Sequence, residues 1–145
     1  MNIVIASDHR GFRLKAYLKQ YVVGIDNPIA WIDVGADTDE RSDYPLFGHK
    51  ACDVMLSGQA SHGILLCGSG IGMAIVANRY RGIYAGLVWN KDVAIASKQD
   101  DNTNVLVLPC DFITDEQAVE MINAWLGATF KGGHYQQRIK MIDGK

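Results

Sequence analysis

Short apolar runs alternate with longer amphipathic stretches along the whole chain. Ile3–Ala6 is continuously apolar, the mark of a strand buried on both faces. Over Gly11–Val23, the residues Phe12, Leu14, Tyr17, Leu18 and Tyr21 recur at helical spacing. Ala30–Val34 predicts a second strand, ended by Gly35, and Ala36–Arg41 is polar and loop-like. Tyr44–Leu56 predicts a helix, with Asp43 placed to cap it and Pro45 in its first turn. Gly63–Leu66, Tyr84–Val88 and Asn104–Leu108 predict three more strands. Ile71–Arg79, Lys91–Lys98 and Thr114–Leu126 predict helices, the last opening with Thr114 and Gln117 in capping-box spacing. A short helix from about His134 to Ile142 completes the pattern.

Repeated strand–helix–strand units imply a five-stranded parallel sheet covered by helices on both faces, an α/β fold. The 145 residues form one domain, with no internal repeat, low-complexity tract or linker. In such sheets ligands sit outside the carboxyl ends of the strands. The places to look are therefore Ser7-Asp8-His9-Arg10, Asp33, Cys67-Gly68-Ser69-Gly70 and the approach to the fifth strand, Asp100-Asp101-Asn102.

Composition narrows the classes. A net charge of −2 gives no general attraction to nucleic acid or to anionic membrane, so any anion site must be local. No apolar run approaches the roughly 18 residues of a membrane span. The N-terminus enters a strand pattern at once and has no signal-peptide features. Three cysteines without close pairing fit reduced thiols, so a cytoplasmic location is expected. The four histidines are scattered and no Cys-x-x-Cys occurs, so no metal site is expected.

Chemistry concentrates in Cys67-Gly68-Ser69-Gly70-Ile71-Gly72. Backbone N–H groups in a glycine-rich strand-to-helix turn can converge on an oxyanion, and their field is expected to lower the Cys67 thiol pKa toward neutrality. A thiolate beside such a cradle suits proton abstraction next to a carbonyl, with Ser69 as an added donor. The same pattern also fits a tight turn around an inert buried cysteine. Asp8 and His9 could bind sugar hydroxyls or a phosphate, or simply form a cap. His134 and Arg138, four apart on one helix face, make a phosphate clamp or a solvated basic tail.

Taken in order, several segments resemble the ribose-5-phosphate isomerase B family, which includes the galactose-6-phosphate isomerase subunits. They are Ile5-Ala6-Ser7-Asp8-His9-Arg10-Gly11-Phe12, Ser42-Asp43-Tyr44-Pro45, Gly63 through Met73, Ala77-Asn78, Asn102-Thr103-Asn104-Val105, Trp125-Leu126 and Gly132-Gly133 with Arg138. The resemblance implies a three-layer Rossmann-like fold and a homodimer or dimer of dimers with each site at the interface. It implies aldose–ketose isomerisation of a phosphorylated sugar through an enediolate, without cofactor, and points first to ribose 5-phosphate and ribulose 5-phosphate. Another sugar phosphate (hexose or tetrose) and a non-catalytic sugar-phosphate-binding role are the alternatives. By the same resemblance, Cys67 moves the proton, Gly68, Gly70, Ile71 and Gly72 cradle the oxyanion, and Asp8, His9 and Tyr44 contact the sugar. Arg138 binds phosphate from the partner subunit. The sequence departs from that family at Asp100 and Asp101, where it usually has His-Asn, and at Asp111 and His134, where it usually has Arg. Asp100 then becomes the residue expected to open the sugar ring, with Asp101 beside it, and Arg10 or Arg13 could restore the missing positive charge.

Overall fold

A computed structural model describes residues 1–24 and 28–144. Five strands form one sheet: β1 (Asn2–Ser7), β2 (Ala30–Asp33), β3 (His62–Cys67), β4 (Ala85–Leu87) and β5 (Val105–Pro109). Every pairing is parallel and the spatial order is β2-β1-β3-β5-β4. Six α-helices cover it: α1 (Phe12–Tyr21), α2 (Tyr44–Leu56), α3 (Ile71–Ala77), α4 (Lys91–Asp101), α5 (Asp115–Gly127) and α6 (His134–Asp143). This is the α/β Rossmann-like architecture that the alternating pattern implies.

The apolar runs are continuous because each strand feeds two cores. Ile3, Ile5, Ile64, Leu66, Leu106 and Leu108 pack with α1, α4 and α5 on one face. Their neighbours Val4, Ala6, Leu65, Cys67, Val105 and Val107 pack with α2 and α3 on the other. The period of two sends alternate side chains to opposite faces. Cys67 therefore ends β3 on the face that carries α3.

The chain goes from β1 outward to β2, then crosses back over β1 to β3. The sheet thus reverses direction between β1 and β3, and a crevice opens outside their carboxyl ends.

Local signals account for most boundaries. The capping box at Thr114 and Gln117 is formed, and Asn90 caps α4 through its side chain. Asp43 occupies the N-cap of α2, but its side chain makes no capping bond. A 3-10 turn over His9–Gly11, capped by the Asp8 carboxylate, precedes α1. Helix α4 runs three residues past the expected Lys98 because Asn102, at φ 48°, supplies the left-handed stop. Asp100 and Asp101 consequently lie on the last turn of a helix rather than in a loop. The fourth strand is shorter than its apolar run, and α3 stops at Ala77.

Candidate active site

A cleft of about 580 Å³ lies at the carboxyl ends of β1, β3 and β5. Asp8, Tyr44, Cys67, Gly68, Ser69, Ile71 and Gly72 line it, together with Arg10, Ile75, Asp111 and Phe112. Most of the residues singled out in the sequence thus come together here. Ile75 and Phe112 are the additions, and nothing in the sequence marked them, since each faces the cleft only through tertiary packing.

The turn after β3 is built by close approaches. Gly70 opens α3 at φ 75°, and a Cβ there would meet Leu87 Cδ1 at 2.4 Å. The ring of Tyr44 packs on Gly72, where a Cβ would lie 2.5 Å from the tyrosine Cζ. The Ser69 hydroxyl accepts from the Ile71 backbone N–H at 3.3 Å.

Cys67 is buried at the floor of this cleft. Burial pushes its thiol above the ordinary value, and the Asp8 charge adds to that. The backbone N–H groups of Met73, Gly70 and Gly72 pull in the opposite direction. The expected lowering toward neutrality is therefore corrected: the nearby amides do favour the thiolate, but desolvation outweighs them. For Cys52, only burial and the Asp53 charge act, and its thiol is pushed up to about 11. Cys110 is pushed up to about 12 by burial and then by Asp111.

Asp8 is buried, and its Oδ1 accepts from the backbone N–H groups of Arg10 at 3.0 Å and Gly11 at 3.3 Å. It is both the cap of the 3-10 turn and a wall of the cleft. His9 does not line the cleft. Its backbone N–H donates to Ser42 Oγ at 3.0 Å, and its Nδ1 lies 3.2 Å from both the amide nitrogen and the carbonyl oxygen of Ser42. This clip ties the loop before α2 to the end of β1 and sets Tyr44 over the glycine turn.

Arg10 forms an ion pair with Asp111 across the cleft mouth. Asp111 therefore holds a cation rather than standing as a bare negative charge, and Arg10 is the residue that balances it. Asp33 serves the framework instead. Burial alone would raise its pKa, but hydrogen bonds from Lys15 at 2.6 Å and Lys19 at 2.5 Å hold its carboxyl below the usual range. Among the described residues, no three His, Cys, Asp or Glu side chains gather as metal ligands would.

Asp100, Asp101, His134 and Arg138 lie outside this cleft in the single chain. Asp101 lines a separate cavity of about 660 Å³ beside β4. Asp100 accepts a hydrogen bond from Lys131 Nζ at 2.7 Å, a contact spanning 31 residues that the sequence did not reveal. Around the ring of Tyr135 stand Lys131 Nζ at 5.1 Å, Arg138 Cζ at 5.5 Å and the His134 ring at 4.1 Å.

A cleft at the switch point of a parallel sheet is where α/β enzymes bind small substrates. The chain belongs to the ribose/galactose isomerase family, whose model matches residues 3–142, and it is an isomerase of that family. It is 36% identical to ribose-5-phosphate isomerase B of Escherichia coli, over 97% of this chain and 93% of the relative. A crystal structure of a ribose 5-phosphate isomerase from Thermotoga maritima superposes with TM-score 0.94 at 42% identity, covering 99% of this chain and 98% of the other. Ribose-5-phosphate isomerase B of Mycoplasma genitalium with bound ribulose-5-phosphate superposes with TM-score 0.90 at 36% identity, covering 99% and 94%. Among the described residues no helix is long and apolar enough to cross a membrane.

Proposed function

We propose that this chain interconverts ribose 5-phosphate and ribulose 5-phosphate by a proton transfer carried by Cys67. The observation that carries the reading is the buried Cys67 sulfur at the floor of the cleft, at the end of β3 and beside the glycine turn that opens α3. As the thiolate, Cys67 takes the proton from C2 of the open aldose and returns it at C1. The negative charge that develops on the substrate oxygen is met by amides of the turn from Gly68 to Gly72, with the Ser69 hydroxyl beside them. Asp8 and Tyr44 orient the sugar from opposite walls, and His9 braces the wall through Ser42. The substrate named for the Mycoplasma relative supports this choice of sugar.

Among the described residues the cleft offers the phosphate no free cation, because Arg10 is engaged by Asp111. Arg138, with His134 beside it, supplies that charge from the partner subunit of a homodimer. The rim of the cleft suits such an assembly: Ile71, Ile75 and Phe112 stand 55%, 54% and 76% exposed, an apolar border for a second chain to cover. Three free thiols suit a reducing cytoplasm.

A coupled assay of the purified dimer tests the reading: ribose 5-phosphate and ribulose 5-phosphate interconvert, and other pentose, tetrose and hexose phosphates give a lower kcat/KM. Absence of turnover by well-folded dimer overturns it.

A further inference from the structure

Arg10 and Asp111 meet in the Cys67 cleft from two different strand ends. Arg10 leaves the 3-10 turn after β1, where its backbone N–H donates to Asp8 Oδ1 at 3.0 Å. Asp111 leaves the turn after β5. There its backbone N–H donates to the Gly68 carbonyl at 3.0 Å, and that of Cys110 donates to the Cys67 carbonyl at 3.1 Å. Backbone bonds thus set the root of each side chain, and the pair closes over Gly68, the first residue of the glycine turn. A Cβ at Gly68 would lie 2.7 Å from Asp111 Oδ2 and 2.9 Å from Arg10 Nε, so the pair needs glycine beneath it. Among the described residues that line the cleft, Arg10 is the only cation, and a carboxylate already occupies it. A guanidinium binds carboxylate and phosphate oxygens through the same N–H donors. The two side chains are 56% and 32% exposed, so an anion in the cleft can reach them.

We propose that Asp111 is an internal competitor for phosphate: its carboxylate holds the Arg10 guanidinium, and a phosphorylated ligand gains Arg10 only by displacing it. The effect on a sugar phosphate rests on the isomerase reading above and deepens it. Exchanging one charge-assisted contact for another yields little net affinity, so Arg10 contributes little while Asp111 is present. With Asp111 neutral, Arg10 stands free beside the glycine turn. The lining then carries one carboxylate, Asp8, against one guanidinium, where the wild type sets two carboxylates against it. Asp111 therefore determines how tightly the cleft grips phosphate.

Calorimetric titration of the purified protein with inorganic phosphate tests this without turnover. In Asp111→Asn the dissociation constant falls by about tenfold, the scale of one charge-assisted contact regained, and Asp111→Ala gives the same direction. Adding Arg10→Gln to Asp111→Asn returns it to the wild-type value or above. The gain persists in about 0.5 M potassium chloride, where attraction between separated charges is screened. KM for ribose 5-phosphate falls by the same factor as the phosphate constant. Unchanged phosphate binding in both Asp111 variants overturns the proposal. So does a gain that survives Arg10→Gln, and so does one that vanishes in the added salt, which marks a long-range charge effect only. A protein without turnover fails as an isomerase and still returns the titration result, so the two failures are told apart.

Discussion

The Cys67 cleft and the cluster around Tyr135 are built on opposite principles. The cleft is backbone-made: glycines at 68, 70 and 72 beside a buried sulfur, and a tyrosine ring laid on a glycine. Such a site is preorganised within one chain and changes little when the surface varies. The cluster is side-chain-made and exposed, with Lys131, His134 and Arg138 disposed around one aromatic ring and Asp100 holding the lysine. Of the four departures from the pattern that the resemblance implies, Asp100 and His134 fall in the cluster, Asp101 lines the cavity beside β4 and Asp111 lines the cleft, while none falls on the sulfur or its glycines. On the proposed reading, proton transfer belongs to the rigid region and phosphate recognition to the adaptable one.

The largest effect comes from removing the sulfur. Cys67→Ser, close in shape but with a hydroxyl that does not ionise near neutral pH, lowers kcat by about 10³-fold with little change in KM, as steady-state kinetics will show. In the wild type the thiol lies above its ordinary pKa, so it is protonated at neutral pH. The thiolate fraction therefore grows as pH rises, and kcat/KM climbs across the neutral range and into the alkaline. A bell centred below pH 7 would contradict the assignment.

Breaking the outer region has a smaller and different signature. Arg138→Ala removes a charge-assisted contact of about 1.5–3 kcal/mol, so KM for both sugar phosphates rises by roughly 10- to 100-fold. Because Arg138 is exposed, Tm stays nearly constant. The smallest effect sharpens the backbone-made side: Gly72→Ala drives a Cβ into the Tyr44 ring. Tyr44 shifts away from the cleft, and kcat/KM falls by roughly tenfold with the thiol untouched.

The two regions also differ in how far they could be read from sequence. Ile3–Ala6 and Gly63–Leu66 announce buried strands because both faces of the sheet are covered, and Cys67 followed by alternating glycines marks the one strand end where a backbone cradle can form. The placement of Asp8 and the glycine turn in a single cleft followed from the strand-end rule, whereas Tyr44 was pointed to only by the family resemblance. The direction of the Cys67 pKa did not, because burial is a property of α2 and α3 packing over the sulfur. The extension of α4 to Asp101 was missed because it depends on Asn102 accepting a left-handed conformation, and the Asp100–Lys131 pair because it joins residues far apart in the chain. Arg10 stood in plain view after β1, but only the fold shows that Asp111 claims it.

The central claim is that the two regions meet only across a subunit interface. It is tested most directly by mixing two variants, Cys67→Ala and Arg138→Ala, under conditions that exchange subunits, with activity read at substrate well below the wild-type KM, where the KM defect of Arg138→Ala is a loss of rate. In a two-fold dimer each mixed pair holds one site with an intact sulfur and an intact partner arginine. Activity should therefore return to about a quarter of wild type at equal mixing. If mixing restores nothing while mixed dimers are shown to form, Cys67 and Arg138 serve the same chain's site and the account is wrong.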